Sequence, residues 1–182
     1  MIFVTVGAQM PFNRMVTAVD EWAKCRGKRD IFAQIGETGF QPKHIQWTRF
    51  LNPHQFRKIF TEASVIVAHA GMGSIITALE LGKPILVMPR QGRLGETRND
   101  HQMATAKQFL KLGCVSVAFD ADDMAKKLDH IDRLRHARPI NSYASPELLL
   151  ALKQFISQGE FEPSQGRWID WEPQAERNSP AA

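Results

Sequence analysis

The sequence predicts an α/β protein built on a doubly wound, mostly parallel, Rossmann-like sheet. Three observations carry that reading: short unbroken apolar runs, helical patterns between them, and helix-start signals at the junctions. Ile2–Val6, Ile31–Ile35, Ile45–Phe50, Val65–Ala68, Ile85–Met88 and Val115–Phe119 read as strands. Most are continuous apolar runs rather than apolar–polar alternations, which suits strands buried on both faces. Phe12–Lys24, Pro53–Glu62, Ser74–Leu81 and Asp100–Leu112 read as the helices between them. Repeated strand–helix–strand order with right-handed crossovers closes such elements into one parallel sheet.

Each element has its own support. Met1 runs directly into the first strand, so no signal peptide is expected ahead of it. Asn52 can cap the second helix, with Pro53 at the first helical position, where a missing N–H costs nothing. Ser74 is the expected N-cap of the helix after the fourth strand. Asp120 can cap a helix that ends near Leu134. Ser145-Pro146 opens the last helix, whose apolar face is Leu148, Leu149, Leu150, Leu152, Phe155 and Ile156. From Phe161 onward the chain turns to Pro, Ser, Gln and Glu, with Trp168, Ile169 and Trp171 as the large apolar groups. We therefore expect one domain over residues 1–160 and a flexible tail over 161–182.

At 182 residues and 43% hydrophobic, the chain can bury a core without a disulfide or metal staple. Cys25 and Cys114 are the two cysteines, too few for a disulfide framework, and read as reduced thiols. No apolar run approaches the roughly 20 residues that cross a bilayer. A soluble, cytoplasmic protein is expected. The net charge of +4 permits anionic partners. The basic residues are dispersed, and the densest cluster (Arg133, Arg135, His136, Arg138) reads as a solvated helix face, so nucleic acid is not expected as a partner.

In an open parallel sheet, ligands bind at the carboxyl ends of the strands. Three segments of unusual composition stand there: Gly7-Ala8-Gln9, His69-Ala70-Gly71-Met72-Gly73-Ser74, and Pro89–Gln102. Gly71 and Gly73 bracket a tight strand-to-helix turn, where missing side chains let a ligand approach the backbone. First-turn N–H groups and the helix dipole favour an anion there, and a diphosphate fits. His69, at the strand end, could donate to an oxyanion. Spacing alone leaves open a purely structural turn with a structural histidine. Ile76 stands where a dinucleotide fingerprint needs its third glycine, and no G-x-x-x-x-G-K-[ST] loop exists. Neither a paired-histidine zinc spacing nor a G-x-S-x-G elbow is present.

MIFVTVGAQMPFNRMVTAVDEWA, VIVAHAGMGSIITALELGKPILVMPR and RNDHQMATAKQF together resemble the C-terminal, donor-binding domain of glycosyltransferase family 28. The likeness spans residues 1–120. It is strongest to free-standing forms, the small subunits of the eukaryotic dolichol-linked GlcNAc transferase and of bacterial exopolysaccharide transferases. The resemblance implies a GT-B half domain that binds a UDP-sugar. By position it implies that His69, Gly71, Gly73 and Ser74 hold the diphosphate, and that His101 and Gln102 read sugar hydroxyls. It likewise places Phe50 and Leu51 beside the uracil, and Gly7 and Gln9 on the loop facing the cleft. Arg90, Arg93, Glu96 and Arg98 lie on the following loop, and Arg98 is the residue expected to touch phosphate or sugar.

One departure stands out. Many relatives carry a ribose-binding glutamate where this sequence has Thr77, and Glu80, three residues on, is the carboxylate proposed to replace it.

The resemblance further implies inverting transfer without metal or other cofactor, from a UDP-sugar to a lipid-linked acceptor in polysaccharide biosynthesis. His69 would stabilise the departing diphosphate, and no residue here is a convincing general base. The acceptor-binding half would be a second, membrane-attached subunit, holding this chain at the inner face of the membrane. Alone, the domain is expected to self-associate through the surface meant for that partner. Two alternatives remain open: a non-catalytic nucleotide-binding accessory subunit, and a UDP-sugar epimerase.

Overall fold

The protein is described by a computed structural model covering residues 1–134 and 144–158. In chain order the elements are β1 (Ile2–Thr5), α1 (Asn13–Arg26), β2 (Ile31–Gln34), β3 (Gln46–Thr48), α2 (Pro53–Glu62), β4 (Val65–His69), α3 (Met72–Glu80), β5 (Ile85–Met88), α4 (His101–Lys111), β6 (Ser116–Val117), α5 (Ala121–Asp129) and α6 (Pro146–Gln158). The six strands form one all-parallel sheet in the order β3-β2-β1-β4-β5-β6. This is the doubly wound order, in which the strand sequence reverses between β1 and β4 and opens a crevice beyond their carboxyl ends.

Unbroken apolar strands are needed because both faces are covered. Along β1, Phe3 enters one core and Val4 the other, both fully buried. On one face Val4, Val67, Leu86 and Met88 meet Met15, Val19 and Trp22 of α1 and Met124 and Leu128 of α5. On the other, Phe3, Ile66, Ala68 and Val87 meet Phe60, Ile75, Leu79 and Ala106. Phe3 lies edge-on to Phe56 and Phe60, at centroid separations of 5.6 and 6.0 Å. Full burial of one such side chain contributes about 1.5–3 kcal/mol.

Polar pins fix the helices and connections. The buried Asp20 carboxylate accepts the N–H groups of Lys43, His44 and Ile45 at 3.1, 2.7 and 3.2 Å, holding the β2–β3 connection against α1. Asp129 of α5 accepts from Trp22 Nε1 at 2.9 Å and Arg26 Nε at 2.8 Å, and those partners hold its carboxyl well below the usual carboxylate range. Asn52 forms a full capping box with Gln55 at the head of α2, as its sequence predicts.

Two expectations need correction. Ser74 does not cap α3: the N-cap is Gly71, in extended conformation (φ −90°, ψ 136°), and Ser74 is the third helical residue. The helix starts earlier because β4 carries through to His69 and Gly71 makes the turn in one residue. The outer strands are also shorter than their apolar runs, β3 at Gln46–Thr48 and β6 at Ser116–Val117. Each is an edge strand with one neighbour to pair with.

The chain divides into two compact units, Met1–Ser142 and Tyr143–Ala182. In the second, α6 opens as expected: Ser145 Oγ accepts the Leu148 N–H at 3.2 Å, with Pro146 at the first helical position. The tail expected over 161–182, with Trp168 and Trp171, lies outside the described residues, as do Arg135, His136 and Arg138. No helix among the described residues is long and apolar enough to cross a membrane.

Candidate functional site

The strand order puts a cavity of about 690 Å³ at the reversal point, lined by the ends of β1, β2, β4 and β5 and by α2, α3 and α4. That volume is in the range of small-ligand sites. A second groove, about 570 Å³, is lined by residues of α1 and α5 alone and includes no strand end. The first cavity therefore has the position and the convergence of elements that a ligand site needs.

Hydrogen-bond donors at the cavity come first from α3. The Gly71 N–H bonds back to the His69 carbonyl at 2.8 Å, and the first intrahelical bond is Ile75 N–H to Gly71 O. The amides of Met72, Gly73 and Ser74 are left without a partner among the described residues, and no side chain caps them. Three unused N–H groups at the positive end of a helix dipole are an arrangement that favours an anion. Thr77 Oγ1 donates to Gly73 O at 2.8 Å, so it back-bonds within the helix while lining the cavity.

His69 is wedged beneath this turn. A Cβ on Gly71 would fall 2.1 Å from His69 Nε2, and one on Gly7 would fall 2.6 Å from Cε1. Gly7 also holds φ at +78°, which side-chain-bearing residues rarely adopt. Both glycines are thus dictated by the imidazole between them. Burial, then the Arg90 charge, pushes His69 down to about 4, with the Thr5 backbone opposing. The ring is neutral near pH 7, and its buried Nδ1 has no hydrogen-bond partner.

The floor presents further donors. Gln34 Oε1 accepts from Thr5 Oγ1 at 2.9 Å, and Gln102 Oε1 accepts from the Arg90 N–H at 3.2 Å. Both oxygens are engaged, and among the described residues no protein partner takes either glutamine's Nε2 donors. The Arg57 guanidinium lines the rim without an ion pair among the described residues. No aspartate or glutamate lines the cavity. Amides, carboxamides and guanidinium groups facing inward, with no carboxylate among them, suit a ligand rich in anionic oxygens.

Of the residues singled out from sequence, Gly7, Gln9, Leu51, His69, Gly73, Ser74, Thr77 and Gln102 line the cavity. Gly71 shapes the turn without lining it. Phe50 is half exposed just outside, and His101 is exposed at the first residue of α4. Arg98 is exposed on the β5–α4 loop, and Glu80 is exposed at the last residue of α3, both away from the lining. Sequence reasoning missed Gln34, Phe56 and Arg57. It grouped Arg90 with the loop arginines, whereas its side chain is 4% exposed on the cavity floor. The signal for Arg90 was its place directly after Pro89 at the end of a fully buried strand. Among the described residues, no group of three His, Cys, Asp or Glu could hold a metal ion.

Comparisons with known proteins bear on the family and the fold. Residues 1–148 match the family model of the glycosyltransferase family 28 C-terminal domain. The UDP-N-acetylglucosamine transferase subunit ALG13 of Eremothecium gossypii is 37% identical over 171 residues, covering 70% of this chain and 79% of that protein. The human protein of the same name is 30% identical over 122 residues, covering 62% of this chain. The matched region is 10% of the human protein's length. An NMR structure of ALG13 superposes with a TM-score of 0.55 at 22% identity, covering 82% of this chain and 94% of that one. Acinetobacter baumannii MurG gives a TM-score of 0.54 at 15% identity, covering 75% and 42%. At those identities the two structures speak to the fold alone. The match over residues 1–148 identifies the chain as a member of the glycosyltransferase family 28 C-terminal domain family.

Proposed function

We propose that this chain is the donor-binding part of a glycosyltransferase and holds a UDP-sugar by its diphosphate. The observation that carries this reading is the carboxylate-free cavity at the head of α3, where the amides of Met72, Gly73 and Ser74 have no partner among the described residues and Gly73 and Ser74 line the cavity. The diphosphate would sit on those amides beside His69. The nucleoside would extend toward Leu51, Pro53 and Phe56, and the sugar toward Gln102. The relatives' designation as UDP-N-acetylglucosamine transferase subunits favours UDP-GlcNAc as donor and a second subunit as partner.

Transfer would proceed by attack of an acceptor hydroxyl on the anomeric carbon, with the sugar–phosphate C–O bond breaking and UDP leaving. Charge then grows on the leaving oxygens. Fixed amides beneath them stabilise that state more than the ground state, which is what accelerates a reaction. A neutral His69 carries one N–H and can donate it without first losing a proton. The attacking hydroxyl needs a base within hydrogen-bond reach, and no carboxylate lines this cavity. We assign that base and the acceptor site, for a lipid-linked acceptor, to a membrane-attached partner that holds this chain at the cytoplasmic face.

Calorimetric titration with UDP, UMP, inorganic pyrophosphate and NAD tests the reading. UDP should bind most tightly, UMP at least tenfold more weakly, and pyrophosphate measurably. Binding of NAD in preference to UDP, or equal affinity for UDP and UMP, would overturn it.

A further inference from the structure

We propose that Arg90 is the positioning residue of this site: its buried guanidinium holds the loop after β1 in place as one wall of the anion cradle. The inference rests on the donor-binding reading above, but its geometry is independent of any ligand. Arg90 Nη2 donates to two carbonyls of that loop, Val6 O at 2.9 Å and Met10 O at 2.5 Å. Those bonds bracket Gly7, Ala8 and Gln9, which line the cavity. The backbone N–H of Arg90 holds Gln102 Oε1, so one residue sets both the β1 loop and the head of α4.

The clamp is braced from behind. The Arg90 and Arg14 guanidinium carbons each lie 5.2 Å from the centroid of the buried Phe12 ring. Arg14 grips Glu96 through Nε and Nη2 at 2.7 and 2.9 Å, and also donates to Pro89 O and Phe119 O. Glu96 in turn accepts the Gln91 N–H at 2.9 Å. The loops after β1, β5 and β6 are thereby tied into one body beneath the cavity.

Arg90 is not simply a satisfied structural arginine. It is 4% exposed, and among the described residues its Nε has no hydrogen-bond partner and no carboxylate forms an ion pair with it. Burying a charge without a directly paired opposite charge is costly; Glu96 acts on the Arg90 guanidinium without an ion pair to it, and Arg90 lines the cavity. An anion in the cradle would add countercharge to this buried guanidinium, so one group both shapes the wall and favours the ligand.

Arg90→Lys and Arg90→Gln test the proposal by two readouts. The first is amide hydrogen exchange at Val6 and Gly7, whose N–H groups are bonded to Gln34 O and Thr5 Oγ1, in the unliganded protein, against β5 amides as an internal control. Both variants should speed exchange in the loop at least fivefold relative to β5, since lysine cannot bridge both carbonyls. The second is affinity for inorganic pyrophosphate against uridine. Pyrophosphate affinity should fall at least tenfold in Arg90→Gln, and uridine affinity should change less than twofold. Parallel losses for both ligands, or loop exchange at the wild-type rate in Arg90→Lys, would overturn the proposal. If wild type binds neither UDP nor pyrophosphate, the donor-binding reading fails, and the unliganded exchange still decides whether Arg90 orders the wall. Should Arg90→Gln not fold, Arg90→Lys carries both readouts.

Discussion

Substituting Gly71 by alanine isolates the packing of His69 from every other feature of the turn. Gly71 sits at φ −90°, a conformation alanine adopts freely, so no backbone strain is introduced. The new methyl would fall 2.1 Å from His69 Nε2 and 2.8 Å from Cδ2 and Cε1, contacts that cannot persist. The same Cε1–Nε2 side of the ring also packs close to Gly7, where an added Cβ would fall 2.6 Å from Cε1. Overpacking of this kind costs about 1–3 kcal/mol, and in a domain of this size each kcal/mol lowers Tm by about 2–4 °C. Removing the ring should remove the cost. In a His69→Ala background the further change Gly71→Ala should cost no more than about 1 kcal/mol, because what remains is the ordinary difference between glycine and alanine at an N-cap. Urea denaturation of wild type, both single variants and the double variant closes the cycle. An equal cost of Gly71→Ala with and without His69 would refute the wedge, and with it the reason given for glycine at this position.

Other outcomes follow from individual contacts. His69 has a folded-state pKa of about 4 against an ordinary 6.5, so between those values the unfolded chain takes up a proton that the folded chain refuses. Stability should therefore fall as pH drops from 6.5 to 4, by at most about 3 kcal/mol, and denaturation of His69→Asn across that range should show a correspondingly shallower loss. Asn52→Ala should cost about 1 kcal/mol in a urea melt, with the slope unchanged, by opening the capping box of α2. Asp20→Ala strands three N–H groups and should cost at least about 2 kcal/mol, measurable by the same melt. Glu80→Gln should change UDP affinity less than twofold in calorimetry, since Glu80 lies outside the cavity lining; a tenfold loss would place the ribose further along α3.

The parallel sheet could be read from sequence because burying strands on both faces leaves a mark on every residue, as in Ile85–Met88, which is wholly buried. Edge strands leave less of one: Gln46–Thr48 is partly exposed, and its limits depend on pairing with β2. The tight turn at the head of α3 was legible in its glycines. Its N-cap was not, because Ser74 is a good cap by type and only the reach of β4 to His69 shows that the helix has already begun. The arginines show the deeper limit. Arg90 and Arg98 have the same chemistry on the same loop, yet one is buried and the other exposed. What separates them is the carbonyls of Val6 and Met10, more than eighty residues away in sequence from Arg98 and brought to Arg90 by the fold. Gln34 escaped notice for a similar reason: its role follows from Thr5 on the neighbouring strand.

The central claim is that the head of α3 holds the diphosphate of a UDP-sugar. Two-dimensional amide NMR of the labelled protein, titrated with UDP, tests it most directly. The account predicts that the largest shifts fall on Met72, Gly73 and Ser74, with Gly7 and Gln9 following, and that pyrophosphate reproduces the α3 shifts while uridine does not. Shifts confined to the groove between α1 and α5, or no change at α3 with millimolar UDP, would contradict it.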